Sequence, residues 1–136
     1  MAKEIVYAAP ACDWETRAYW EGCGRGELVL QRCRDCGVVQ HRPRGLCVTC
    51  LSGAIEHFVA SGRGVVYSYT ITQQNGLPEF REACPYVLAY VDLEEGPRLM
   101  TNITGCEPQA VHVGMPVRVE FKATGDALGV PRFVPA

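Results

Sequence analysis

Lysine is nearly missing from this 136-residue sequence: only Lys3 and Lys122 occur, and arginine supplies the rest of its 13 basic residues. With 15 acidic residues the net charge is -2, which excludes the clear basic excess of a generic nucleic-acid binder. No apolar run reaches the length of a membrane span. The opening MAKEIVYAAPACDWE has no apolar core and carries acids early, unlike a signal peptide. The expected location is therefore cytoplasmic, where thiols stay reduced and paired cysteines mean metal or redox chemistry rather than disulfides. A P-loop, a dinucleotide glycine motif, a nucleophile elbow and H-E-x-x-H are all missing. Internal repeats and low-complexity segments are missing too. At 48% hydrophobic and 21% charged, the composition is that of a globular chain, one domain or a small domain with an appendage. Arginine suits forked contacts to carboxylate or phosphate, so its excess fits interfaces or a phosphorylated ligand; a GC-rich genome gives the same bias.

Cysteine, in contrast, is plentiful. In QRCRDCGVVQHRPRGLCVTC, residues 31 to 50, two C-x-x-C pairs, Cys33/Cys36 and Cys47/Cys50, stand ten residues apart. Thiolate is a soft ligand, and two such knuckles place four sulfurs at the corners of a tetrahedron. Gly37 follows Cys36, where the backbone must turn back towards sulfur. A structural metal follows, zinc first; iron in a rubredoxin-like site has the same ligand set and spacing does not exclude it. Two pairs argue against a redox disulfide, which needs one reactive pair. Four protein ligands leave no open position, so the metal would not catalyse. It would supply folding energy to a segment too small to fold by burial alone.

The remaining elements read as mainly β. DWETRAYW, from Asp13 to Trp20, is a short helix with Asp13 as a candidate N-cap, broken by GCGRG at 22–26. Residues 1–10 before it read as a tail that is loose or orders on docking. Trp14, Tyr19 and Trp20 load this helix with more aromatic surface than it can bury itself, so they cover the ribbon and the next domain or meet a partner. Residues 27–30 form a strand before the knuckles. Period-two alternation follows in VVYSYTIT, PYVLAYVDL, RLMTNIT and PVRVEFK, and Arg132–Val134 closes the set. Val117, Val119 and Phe121 fall inside, and Glu94–Gly96 marks a solvated hairpin tip. Five short strands with glycine-marked bends at 62 and 64 give a small barrel of the OB type. The expected domains are a tail and helix over 1–26, a rubredoxin-like zinc ribbon over 27–54 and a five-stranded OB-fold barrel over 55–136.

Catalytic residues are not expected in this chain. Cys12, Cys23, Cys84 and Cys106 are scattered, and His41, His57 and His112 are isolated, so no nucleophile–base pair is adjacent in sequence. The basic group Arg32, Arg34, His41, Arg42 and Arg44 either balances the charge of a tetrathiolate site or forms an anion site. In TQQNGLPEFREACP, Leu77, Phe80 and Arg81 offer an apolar anchor beside a cation on a loop that flanks the binding face of an OB barrel.

The order of aromatic helix, two-knuckle ribbon and OB-like barrel resembles a family of small zinc-ribbon plus OB-fold proteins that accompany thiolase-like acyl-CoA enzymes. The likeness runs through Tyr19-Trp20-Glu21-Gly22, Gln31-Arg32-Cys33, Cys36-Gly37, Pro43-Arg44, Cys47 to Cys50, Ser61 to Ser68 and PYVLAYVDLEEGPRLMTNITG. That resemblance implies a partner of thiolase fold (a thiolase, a hydroxymethylglutaryl-CoA synthase-like enzyme, an acyltransferase or a retro-aldolase) that supplies the catalytic residues. It implies a hetero-oligomer in which this chain is an essential, non-catalytic zinc subunit of a thiolase-type transferase complex, with acyl-CoA at or near the interface. Candidate contacts to partner or acyl-CoA are then Trp14, Tyr19, Trp20, Arg42, Arg44, Phe80 and Arg81. Two other classes compete. A single-stranded nucleic-acid module would use Tyr67, Tyr69, Tyr86 and Tyr90 as a stacking platform, against the acidic balance. A rubredoxin-like electron carrier would hold iron.

Overall fold

A computed structural model describes residues 3–136. The elements in chain order are α1 (Arg17–Arg25), β1 (Val29–Cys33), β2 (Val39–Gln40), β3 (Ile55–Val59), β4 (Arg63–Thr72), α2 (Pro78–Arg81), β5 (Tyr86–Leu93), β6 (Arg98–Ile103), β7 (Pro116–Gly125) and β8 (Leu128–Pro135). The first three strands make an antiparallel sheet in the order β2-β1-β3, and β4 to β8 close into a barrel in the order β4-β5-β6-β8-β7. β6 meets β8 in parallel at Ile103 and Phe133; the other barrel pairs are antiparallel. This is the mainly β ribbon-and-barrel architecture that the strand patterning predicts. Among the described residues no helix is long and apolar enough to cross a membrane.

One core joins the parts. Val66, Val87, Val91, Val117 and Phe133 fill the barrel, and Tyr19 and Cys23 from α1 with Leu28 and Leu30 pack into the same cluster. The two glycines expected at a bend do different work: a Cβ on Gly64 would sit 2.5 Å from the Asp92 carbonyl oxygen of the neighbouring strand, and Gly62, with φ +79°, turns the chain just before β4. A bulge between Val66 and Ser68 follows, and the tyrosines of β4 lie outward: Tyr67 and Tyr69 are exposed while Val66 is buried. Val117 is buried, and Val119 and Phe121 pack half-buried against the core.

The helix differs from its expectation. It begins at Arg17 rather than Asp13, and it continues through Gly22 and Gly24 to a left-handed Gly26 at its C-terminal cap. Asp13 caps the turn before it, where its Oδ1 accepts from the Thr16 N–H at 2.9 Å. The glycines are there for close approach, not as breakers. A Cβ on Gly22 would meet Val29 Cγ2 at 2.5 Å, and one on Gly24 would meet the Ala127 carbonyl oxygen at 1.9 Å. They let α1 lie directly on β1 and the β7–β8 turn, and that contact outweighs their poor helix propensity.

The N-terminal segment is not loose. Lys3 N–H donates to Glu82 O at 2.9 Å, Ile5 is buried, and the Tyr7 hydroxyl donates to Asn102 Oδ1 at 2.8 Å. Residues 1 and 2 of the expected tail lie outside the described residues. The Glu94–Gly96 turn joins β5 to β6 as expected, yet its acids also pin the β3–β4 turn. Glu95 Oε2 accepts from Ser61 N–H at 2.7 Å, and Glu94 pairs with Arg63 at 3.2 Å.

Candidate metal centre and adjoining cleft

The two knuckles are built alike. In the first, the Gly37 N–H donates to Cys33 O at 2.8 Å, and Gly37 turns with φ +79°. In the second, the Leu51 N–H donates to Cys47 O at 3.0 Å, and Leu51 turns with φ +63°. The left-handed position is a glycine signal in the first knuckle and is invisible in the second, where leucine occupies it. The sulfurs of Cys33, Cys36, Cys47 and Cys50 lie within 4.8 Å of one another, with Cys33 to Cys50 and Cys36 to Cys47 both at 3.6 Å. A tetrahedral zinc with ~2.3 Å bonds needs sulfurs about 3.8 Å apart, so the set fits. Cys33 and Cys47 are buried, and Cys36 and Cys50 face solvent.

Their protonation also calls for a cation. The Cys47 thiol is held down to about 6 by the backbone N–H of Cys50 and then of Thr49, both 3.4 Å from its sulfur. Cys50 receives the Ser52 N–H, which lowers it, yet the neighbouring Cys33 sulfur pushes it up to about 12. Four thiolates this close repel one another, and a divalent ion removes that penalty. The chain thus brings together four cysteine sulfurs in an arrangement that suits a structural metal ion.

Two buried glutamines that sequence reasoning missed hold the loop between the knuckles. Gln31 Oε1 accepts from Gln40 Nε2 at 2.8 Å and from the Arg44 N–H at 2.9 Å, while its Nε2 donates to Arg44 O at 2.9 Å. Gln40 Nε2 also donates to Leu46 O at 3.2 Å, and its Oε1 accepts from Val48 N–H at 3.0 Å. No local signal in the sequence marks them, because their partners are backbone groups of a loop that only folding brings near. Through these bonds the β1–β2 sheet fixes the backbone that carries Arg42 and Arg44.

That loop forms one wall of a cleft of about 490 Å³; α1 and the barrel strands β5, β6 and β8 complete it. Tyr19, Trp20, Arg42 and Arg44 line it together. Tyr19 is only 4% exposed and packs edge-on to Trp20, with ring centroids 4.8 Å apart. His41 lies 5.0 Å from the Tyr19 ring, and burial first, then Arg42 and Arg44, lowers it to about 4, so it is neutral near pH 7. Trp14 stays 79% exposed, its ring against Gly45. Phe80 and Arg81 are elsewhere: Phe80 packs on Tyr86 at 5.6 Å, and Arg81 lines a separate cavity of about 980 Å³. The basic group splits as well. Arg32 is taken up by Glu56 at 3.9 Å and the Phe58 ring at 4.1 Å. Arg34 stays exposed beside its knuckle, and only His41, Arg42 and Arg44 reach the cleft.

Comparison with known proteins agrees with this layout. The family model "ChsH2, rubredoxin-like zinc ribbon domain" matches residues 20–56, and "ChsH2, C-terminal OB-fold domain" matches 59–122. The solved Ltp2-ChsH2(DUF35) aldolase aligns at TM-score 0.83 and 36% identity, over 93% of this chain and 98% of that one. The chain belongs to the ChsH2/DUF35 family. Among its DUF35 relatives, a scaffold protein of Methanocaldococcus jannaschii is 35% identical over 70% of this chain and 67% of its own length. Benzoylsuccinyl-CoA thiolase subunit BbsA of Geobacter metallireducens is 37% identical over 54% of this chain and 48% of its own. A probable enoyl-CoA hydratase alpha subunit of Thermomonospora curvata is 36% identical over 93% of this chain. This chain spans only 39% of that hydratase subunit's length.

Proposed function

We propose that this chain is a non-catalytic subunit that docks on a thiolase-fold enzyme and helps form that enzyme's acyl-CoA site, with zinc held by Cys33, Cys36, Cys47 and Cys50 as a rigid staple. The observation that carries the reading is an arginine- and aromatic-lined cleft whose barrel wall, Leu88, Tyr90 and Met100, is at the same time an exposed apolar face. On that face Tyr90 is 46% and Met100 50% exposed, beside Leu88 and Tyr67. Such a patch on a folded surface marks an interface. Among the described residues, the histidine hydrogen bond that forms is His112 Nδ1 with Ala110 O at 3.3 Å, which activates no nucleophile. The relatives support the same reading through their names: a scaffold, a thiolase subunit, a hydratase subunit and an aldolase complex. Within the fold, zinc supplies cross-linking energy and no reaction step. Gln31 and Gln40 hold the arginine loop, Trp20 and Tyr19 wall the cleft, and the glycines of α1 lock that wall to the barrel.

The nucleic-acid alternative is not favoured. The net charge is -2, Tyr86 is tied to Asn75 at 2.9 Å and packed on Phe80, and the Arg98 guanidinium stacks on one face of Tyr67 at 3.3 Å. The test is co-expression with a thiolase-fold enzyme. The two chains should co-purify, and the enzyme's turnover should require this chain. Full turnover by the enzyme alone contradicts the reading.

A further inference from the structure

Residues 3–12 lie docked on the barrel, yet their backbone does little of the holding. Lys3 N–H donates to Glu82 O at 2.9 Å, and among the described residues no main-chain hydrogen bond joins Glu4 to Ala11 to any other backbone group. Such a backbone keeps its water. Within the segment only Ile5 is buried. Lys3 pairs with Glu82, and Glu4 pairs with Lys122 at 3.2 Å and Arg132 at 3.5 Å. The Lys3, Glu4 and Glu82 side chains are mostly exposed, so water and salt screen these pairs. The firmest polar tie is Tyr7, whose hydroxyl donates to Asn102 Oδ1 at 2.8 Å. Asn102 is itself fixed, because its Nδ2 donates to Val87 O at 2.9 Å.

The segment crosses the barrel where strand pairing is thinnest. β6 and β8 share the ladder pair Ile103 with Phe133 and no other among the described residues, whereas β5 and β6 pair from Val87/Ile103 to Asp92/Arg98. Glu4 is anchored on β7 and β8 and Tyr7 on β6, so side chains of one segment bridge that seam. Two cavities meet there. Tyr7 lines the cleft of about 490 Å³ and also the cavity of about 980 Å³, and it is the one described residue common to both walls. Val130 lies on the cleft side and Val134 on the other. A permanent wall would be tied by ladder bonds, as β5 is to β6. This one is tied by a single buried side chain, a phenolic hydrogen bond and screened charges, so it opens at less cost than the strands beside it.

We propose that residues 3–8 form a displaceable strap with Tyr7 as its gate, and that lifting the strap joins the two cavities into one groove along the seam between β6 and β8. Lifting breaks the Lys3–Glu82 and Tyr7–Asn102 hydrogen bonds, separates Glu4 from Lys122 and Arg132, and exposes Ile5. Burial of Ile5 keeps the closed state the major one. Ribbon, α1 and the barrel ladders stay as they are. The strap belongs to this chain alone and stands whether or not a thiolase-fold partner is captured.

Methyl relaxation dispersion on the full zinc-loaded chain tests this, since its isoleucines are few: Ile5, Ile55, Ile71 and Ile103. Ile5 should exchange on the microsecond-to-millisecond scale with a minor state of about 1%, whose methyl shift is that of an unstructured isoleucine. Val130 and Val134 should exchange at the same rate, and Ile55 of the ribbon should show no exchange. Tyr7→Phe, which keeps the ring and loses the hydroxyl bond, should raise the minor population about three- to tenfold. Raising salt from about 0.05 to about 0.5 M should raise it at least about twofold. Zinc content and circular dichroism should match the parent's throughout. Ile5 without exchange at either salt concentration overturns the strap. Exchange shared by Ile55 at the same rate marks opening of the whole chain and overturns it too. Exchange of Ile5 and Val134 without Val130 leaves the partition closed and overturns the gate. A population unchanged by Tyr7→Phe overturns the hydroxyl latch, and one unchanged by salt overturns the part given to the ion pairs.

Discussion

Leu51 and Gly37 occupy the same place in their knuckles, with φ of +63° and +79°, and only glycine holds that region without cost. Leu51→Gly should therefore stabilise the metal-loaded protein by about 1 kcal/mol, and Gly37→Ala should destabilise it by a similar amount, both read from denaturant midpoints. Leu51 is exposed, so little packing is lost to offset the gain. His41 gives a second prediction at this scale. Its folded value near 4 lies below the ordinary 6.5, because burial and then Arg42 and Arg44 disfavour its charged form. The unfolded chain takes up a proton that the folded chain refuses as pH falls from 6.5 towards 4. Stability from this group is therefore full above pH 6.5 and lost on acidification, by up to about 3 kcal/mol. Urea midpoints between pH 7.5 and about 5, compared with those of His41→Gln, should show the parent's slope reduced in the variant.

At the scale of elements, α1 is held by what its glycines lack. Helix propensity alone makes Gly24→Ala stabilising by ~1 kcal/mol. The contact with the Ala127 carbonyl at 1.9 Å reverses the sign, so the substitution should cost about 1–3 kcal/mol in a thermal or urea melt. This is also where sequence reading failed. GCGRG looks like a breaker because propensity is local, whereas close approach to a hairpin about a hundred residues away is a tertiary fact with no local mark. The barrel was legible because period-two alternation is local and each strand carried it: Val117, Val119 and Phe121 of β7 turn inward as the pattern requires. Four cysteines at knuckle spacing made the candidate metal cluster readable outright. Gln31 and Gln40 were not readable as its supports, since a glutamine in a strand has no signature of the carbonyls it will meet. Arg42 and Arg44 stood out as basic residues, but their separation from Arg32 and from Arg81 depended on folding.

In the whole molecule, ribbon and barrel depend on different sources of stability. The barrel has a buried core of Val66, Val91, Val117 and Phe133, whereas the knuckle loops expose Leu46, Val48 and Leu51. Metal removal by chelation at neutral pH should therefore release amide protection over residues 31–54 while the β4–β8 amides stay protected, as read by hydrogen exchange. A loosened ribbon also frees the loop that carries Arg42 and Arg44, so partner binding should weaken with the metal. The proposed division of labour is the central claim: that this polypeptide shapes and stiffens, and that a thiolase-fold companion reacts. The most direct measurement is acyl-CoA thioester turnover by the purified zinc-loaded chain, by the companion enzyme and by the two mixed at equal concentration. The account predicts no turnover above buffer for this chain and full turnover only in the mixture. Steady thioester consumption by this chain alone, abolished by substitution of one of its own residues, would contradict it.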